Sequence, residues 1–237
     1  MKLSLKKKSS LLFLISAALF ALFIIFTVLV AFCDKATVTY NEKISSEVGF
    51  AGINQAFFKT IGENPFWYDF TEFLGMIALC IAGIFALIGL FQLATHKRFW
   101  AVDRELLLLG VFYVLVALFY VLFELIVVNY RPVLVGGALE ASYPSSHTML
   151  ACCIFVTAPF ACGHCMKSRV TYLTVTVLCF FFALITVIGR LLSGVHWLTD
   201  IVGALLLSAS LILLYIAALT LSYEKTKHQK RHHHSNH

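Results

Sequence analysis

The chain has 237 residues, 60% of them hydrophobic and only 13% charged, with a mean hydropathy of +0.89. A water-soluble domain cannot hide that much apolar surface, so the composition selects a protein dissolved in a bilayer. The formal net charge of +6 has no folded soluble face to sit on, which excludes a nucleic-acid partner and leaves membrane orientation as its meaning.

The first apolar run, 11–32, is uncharged. It is longer than the apolar region of a signal peptide and no small-x-small cleavage site follows, so a retained span is expected. The longest polar connection, 33–72, comes next. In it Phe50, Ile53, Phe57, Phe58 and Ile61 recur at helical spacing, which predicts an amphipathic helix. The aromatic cluster Phe66-Trp67-Tyr68 suits headgroup level. Two roles are open to this segment: an interfacial helix that admits a lipid, or an anchor or lid packed on the bundle.

Runs 73–95, 106–128, 172–188 and 201–221 follow, with Glu124 the single charge among the residues of 106–128. Each can cross about 30 Å of hydrocarbon at about 1.5 Å per residue. A weaker run, 148–161, contains Pro159; extended to 146–165 it supplies a sixth crossing. The fold class expected is all-α, an integral membrane bundle of six transmembrane helices with an outer interfacial helix. Neither a linker nor an internal repeat divides residues 1–237, so one membrane domain is expected.

Six crossings put Lys2, Lys6, Lys7, Lys8, Lys97, Arg98, Arg104, Lys167, Arg169, Lys225, Lys227, Lys230 and Arg231 on one side, thirteen of the 18 basic residues. The positive-inside rule makes that side cytoplasmic, with both termini in the cytoplasm of a multi-pass protein of the cell membrane.

Three polar clusters interrupt the apolar chain: Asn129-Tyr130-Arg131-Pro132, Tyr143-Pro144-Ser145-Ser146-His147-Thr148, and Gly189-Arg190 with His196 and Asp200. All three fall at the outer ends of the expected helices. Ionisable groups at membrane depth are costly and usually functional. Two converging arginines ask for an anion, because the guanidinium fork matches phosphate oxygens. Ser145, Ser146 and Thr148 add hydroxyl and backbone donors where a helix starts. His196 and Asp200 are four apart and share a helical face. A carboxylate on one ring nitrogen fixes the tautomer and frees the other nitrogen to attack. His196 would then form a phosphohistidine, with His147 protonating the leaving oxygen and later activating water.

These clusters resemble the three signature motifs of the type 2 phosphatidic acid phosphatase family of membrane lipid phosphatases: Lys-x6-Arg-Pro, Pro-Ser-Gly-His and Ser-Arg-x5-His-x3-Asp. This chain has Arg131-Pro132, Pro144-Ser145-Ser146-His147, and Arg190 followed by His196 and Asp200. The resemblance implies His196 as nucleophile, Asp200 as its partner, His147 as acid, and Arg131 and Arg190 as phosphate ligands, with neither metal nor cofactor. The chain departs from the pattern three times. Ser146 stands for Gly, Gly189 for Ser, and Glu124 for the Lys. Placed two helical turns before Arg131, Glu124 is expected to pair with Arg131 or Arg190, to face a cationic headgroup and so tune the substrate, or to make a structural bond to a neighbouring helix.

The remaining polar features read as inert. Cys162-Gly163-His164-Cys165 resembles a thioredoxin active-site sequence but has no βαβ context, and the other helical cysteines behave as small apolar residues. Cys33 is a lone outer cysteine, and the tail with His232, His233 and His234 lies on the cytoplasmic side. The leading expectation is therefore an extracytoplasmic lipid phosphatase acting on a phosphate monoester such as phosphatidate or phosphatidylglycerol phosphate, or on an isoprenoid diphosphate. A phosphotransferase using the same histidine and a non-catalytic lipid-binding scaffold stay open beside it. The expected partners are that substrate and the bilayer.

Overall fold

A computed structural model describes residues 5–163, 166 and 168–235, with residues 5 and 225–235 as backbone alone. Among the described residues, five helices are long and apolar enough to cross a membrane: α1 (Leu5–Phe32), α3 (Pro65–His96), α4 (Arg104–Leu125), α6 (Arg169–Leu192) and α7 (Leu198–Ser235). Between α1 and α3 lie two short antiparallel strands, β1 (Ala36–Thr39) and β2 (Ser45–Val48), then the helix α2 (Ala51–Ile61). A further helix, α5 (Ser146–Cys162), has 17 residues. The chain is a multi-pass, mostly helical membrane protein, and large apolar side chains such as Leu14, Leu87, Phe91 and Val111 face outward, where only lipid can cover them.

The shortness of α5 has a physical reason. Eleven of its residues are buried, because it runs through the middle of the bundle between α3, α4, α6 and α7. Ala151, Cys152, Cys153, Thr157 and Ala158 are small enough to let those helices approach closely. α1 packs along α7, and the two are joined by polar bonds inside the apolar zone. Ser16 Oγ donates to Ser210 O at 2.8 Å, Ser210 Oγ donates back to Ser16 O at 3.0 Å, and Ser9 Oγ donates to Ala217 O at 3.1 Å. In hydrocarbon, hydroxyls that bond across helices act as glue.

The structure corrects the sequence reading in several places. The hairpin was not anticipated; its turn is closed by Asn41 Oδ1, which accepts from the backbone N–H groups of Lys43 and Ile44 at 2.9 Å each. The third expected run does not stay helical to 128. α4 ends at Leu125, so Asn129-Tyr130-Arg131-Pro132 belongs to an irregular connection, and Glu124 shares no helix face with Arg131. α2 forms with Ala51 and Asn54 buried and with Phe50, Phe57, Phe58 and Ile61 of the apolar stripe partly buried; Ile53, 53% exposed, is the stripe residue that faces out. The last helical run begins at Leu198 and the fifth extends to Leu192, which puts Gly189 and Arg190 inside the last turn of one helix and Asp200 inside the first turn of the next. His164, Cys165 and the side chains of the histidine-rich tail lie outside the described residues.

One end of the bundle gathers the irregular backbone, and polar contacts lock it. Asn54 Nδ2 donates to Gly49 O at 2.8 Å and to Thr199 Oγ1 at 2.9 Å, and its Oδ1 accepts from Thr199 N at 3.2 Å. Trp197 Nε1 donates to Tyr130 O at 2.6 Å, with Phe58 edge-on to the indole. Asn64 N donates to Ser193 O, and Ser145 N to Asp200 O. Tyr143, buried against Phe23, ties this end to α1 through its hydroxyl and Thr27. Replacing Asn54 strands Gly49 O and Thr199 N–H away from water, at a cost of about 1–3 kcal/mol for each unmet group. Asn54→Ala should therefore lower the thermal unfolding midpoint of the detergent-purified protein by several degrees; a midpoint equal to wild type would show that the clamp carries no stability.

Candidate active site

The last turn of α6 sends Arg190 inward, where its side chain has no exposed surface. A buried guanidinium must have its charge and its donors answered by the protein. Nη1 donates to Thr71 Oγ1 at 3.2 Å and to Glu72 Oε1 at 3.0 Å. Nη2 lies 3.3 Å from His147 Nδ1 and 3.3 Å from His196 Nε2. Tyr68 places its ring 5.4 Å from the guanidinium carbon, within range of a cation–π contact. Four elements thus meet at one cation: α3 through Tyr68, Thr71 and Glu72, α5 through His147, α6 itself, and the turn before α7 through His196.

The close approach of α3 explains one departure from the motif. A Cβ on Gly189 would stand 2.5 Å from Thr71 Cγ2 and 2.9 Å from Trp67 Cε3. A serine does not fit there while α3 carries those side chains. Gly75 does the same for His147: a Cβ would come within 2.8 Å of the imidazole Cδ2, so the ring lies flat on the backbone of α3.

His196 sits in the turn between α6 and α7 rather than on a helix, and Asp200 lies in the first turn of α7. Asp200 Oδ2 accepts from Trp197 N at 2.8 Å, an acid reaching back to cap the helix start. The same oxygen is 3.6 Å from His196 Nδ1, too far for a good hydrogen bond. Ser142 closes the gap: its hydroxyl donates to Asp200 Oδ2 and lies 3.3 Å from His196 Nδ1. With Arg190 donating to Nε2, the proton of a neutral His196 belongs on Nδ1, and Nε2 keeps its lone pair. Burial, followed by the charges of Arg190, Arg131 and His147, holds the imidazole well below its ordinary 6.5. At neutral pH, His196 is therefore uncharged.

Arg131 approaches from the connection 126–145. Its backbone N–H donates to Glu140 O at 3.1 Å, its backbone carbonyl accepts from Tyr40 Oη at 2.6 Å, and its Nε lies 3.2 Å from Glu140 Oε2. The hairpin thus holds the arginine in place. Arg131 Nη1, Arg190 Nε and the hydroxyls of Ser145 and Thr148 are buried and have no hydrogen-bond partner among the described residues. Met149 N bonds Ser145 O as α5 begins, so the N–H groups at 146–148 point out of the helix terminus. Unmet donors of this kind, beside two guanidinium groups, fit an anion.

Of the residues singled out by sequence, the structure joins His147, Arg190, His196 and Asp200 in one network, with Arg131, Ser145 and Thr148 around it. Glu124 is not among them. It is exposed and borders a small cleft with Tyr120, Ser142 and Ser146. The expected pairings with Arg131 and Arg190 are made instead by Glu140 and Glu72. Glu72, Ser142 and Thr71 were missed. No motif marks them, but Glu72 is an acid within 65–96, which the sequence could have flagged had that helix been read as starting at Pro65.

Residues 125–223 match the model of the PAP2 superfamily. The resemblance read from the motifs therefore holds over the segment that carries Arg131 and all later site residues. The chain as a whole is similar in fold to a solved structure, the first transmembrane PAP2 type phosphatidylglycerolphosphate phosphatase from Bacillus subtilis, with a TM-score of 0.53 and 20% identity over 89% of this chain and 96% of that one. No curated protein matches it. Glu72 lies outside the matched segment. Restoring the motif serine as Gly189→Ser should destabilise the protein by about 1–3 kcal/mol, the usual cost of overpacking, seen as a lower detergent unfolding midpoint; unchanged stability would mean that α3 is not packed as described.

Proposed function

We propose that this protein is a metal-independent lipid phosphatase that works through a phosphohistidine on His196. The observation that carries the reading is the shared guanidinium nitrogen: one Arg190 Nη2 stands 3.3 Å from His147 and 3.3 Å from His196. A phosphoryl group bound there is flanked by a nucleophile and an acid. His196 Nε2 attacks phosphorus while His147 gives a proton to the departing alcohol oxygen as the P–O bond breaks. Water then attacks phosphorus as His147 takes its proton, the N–P bond breaks with its electron pair returning to His196 Nε2, and inorganic phosphate leaves. Arg190, Arg131 and the N-terminus of α5 stabilise the charge on the equatorial oxygens. Among the network residues, His147 and Glu72 are the exposed pair, their side chains 23% and 35% accessible. We take this side as the entry for the water of the second step; an acceptor-dependent product would mark transfer to a second alcohol instead of hydrolysis.

The proposal includes a topology. Counting α5 gives six crossings with alternating direction, and the cationic flanks then put both termini in the cytoplasm and the site at the opposite rim. The substrate class is a phosphate ester or diphosphate of a lipid, presented from that leaflet.

Two measurements test this reading. Purified protein in detergent should release inorganic phosphate from a panel of lipid phosphates, and His196→Ala should lower the rate by about 10⁴-fold or more without altering the elution profile; a variant as active as wild type would overturn the nucleophile. Cys33 is exposed and sits at the site end of α1. A membrane-impermeant maleimide should label it in intact cells, and labelling only after lysis would reverse the orientation.

A further inference from the structure

We propose that Glu72 is the positioning residue of His147, a counterpart to Asp200 on His196; this rests on the phosphatase reading above. The two imidazoles are held in the same way. His196 has Ser142 and Asp200 behind Nδ1 and turns Nε2 to Arg190. His147 has Glu72 Oε2 at 3.0 Å from Nε2 and turns Nδ1 to the same Arg190 nitrogen. Each ring therefore presents its inner nitrogen to the phosphoryl position and its outer nitrogen to a carboxylate. Gly75, on the same helix and three residues on, leaves the space in which the ring lies. Glu72, one residue after Thr71 and near the start of α3, also grips Arg190 through its other oxygen.

The consequence is chemical. To protonate a leaving oxygen, His147 must carry protons on both nitrogens, one toward the substrate and one toward Glu72. A carboxylate behind the ring stabilises the imidazolium and fixes its direction. When Nδ1 gives up its proton, the P–O bond breaks and the alcohol leaves neutral, while Nε2 keeps its proton on Glu72. In the second step Nδ1 accepts the proton of the attacking water and the cycle closes. A glutamine holds the ring but supplies no charge.

Glu72 touches both His147 and Arg190, so the test must separate the two. An alkyl phosphate needs its leaving oxygen protonated; 4-nitrophenyl phosphate does not, because nitrophenolate is already a good leaving group. Loss of the acid therefore discriminates between these substrates, whereas loss of phosphate binding at Arg190 weakens both alike. Glu72→Gln should lower kcat/KM, which reports the steps up to the phosphohistidine and not the shared hydrolysis that follows, by about 100-fold on a short-chain lipid phosphate, within the range of general acid catalysis, and by less than about 10-fold on 4-nitrophenyl phosphate. His147→Asn should show the same bias, adding Glu72→Gln to it should cost little more, and Glu72→Asp should recover part of the lost rate. Thermal midpoints in detergent identify variants that fold. An equal fall on both substrates in folded Glu72→Gln protein, or full additivity with His147→Asn, overturns the assignment while leaving the phosphatase reading intact. Wild-type protein that hydrolyses neither substrate overturns both.

Discussion

A guanidinium sealed into the end of a helix bundle governs the arrangement around it. Left alone there, Arg190 would cost several kcal/mol in lost hydration, so the bundle must bring it a carboxylate, a hydroxyl and an aromatic face. Those come from Tyr68, Thr71 and Glu72, at i, i+3 and i+4 on one face of α3. The requirement fixes how close α3 comes to α6, and that closeness is what removes the side chain at position 189, while the approach of His147 from α5 removes the one at position 75. The site is thus not added to a finished bundle. The packing of α3, α5 and α6 and the solvation of one cation are solved by the same contacts.

The irregular end of the molecule has a related logic. Backbone outside helices needs partners of its own near a membrane. The hairpin, α2 and the connection 126–145 supply them to one another: Asn54 to Thr199, Tyr40 to Arg131, Trp197 to Tyr130. Each of these contacts also fixes a segment that carries chemistry. Trp197 follows the nucleophile directly, Thr199 precedes its carboxylate, and the carbonyl of Arg131 receives the Tyr40 hydroxyl. The α1–α7 serine bonds do the corresponding work in the apolar zone, holding the helix that bears Asp200 against the first helix of the chain.

What the sequence made legible follows from what each residue does locally. Arg131, His147, Arg190, His196 and Asp200 stand out because polar residues in an apolar chain are conspicuous and their spacing is short. Glu72 was not legible, because its partners are 75 and 118 residues away and nothing near it announces a site. Ser142 was hidden for another reason: serines near turns are common, and only the 3.6 Å gap between His196 and Asp200 gives this one a task. The end of α4 was misjudged because Ile126, Val127 and Val128 continue the apolar run; apolarity measures affinity for lipid, not helicity. That error carried Glu124 with it, since the two-turn relation to Arg131 exists only while the helix lasts. The hairpin was missed because four-residue strands have too few alternations to rise above a helical pattern nearby.

Charge balance gives the last step. Arg131 and Arg190 bring two positive charges, and Glu140, Glu72 and Asp200 stand within reach of them. If all three acids aimed at the anion position, they would repel phosphate. They do not: each lies behind a cation or an imidazole, so the surface presented to a ligand consists of guanidinium N–H groups, ring nitrogens and the free N–H groups of α5. A carboxylate in the rear fixes and charges the group in front without facing the anion itself. That placement also accounts for Glu124 standing where the motif has lysine. Glu124 is exposed and makes no ion pair with either arginine among the described residues, so the donors offered to the anion are those of the two arginines and the helix terminus.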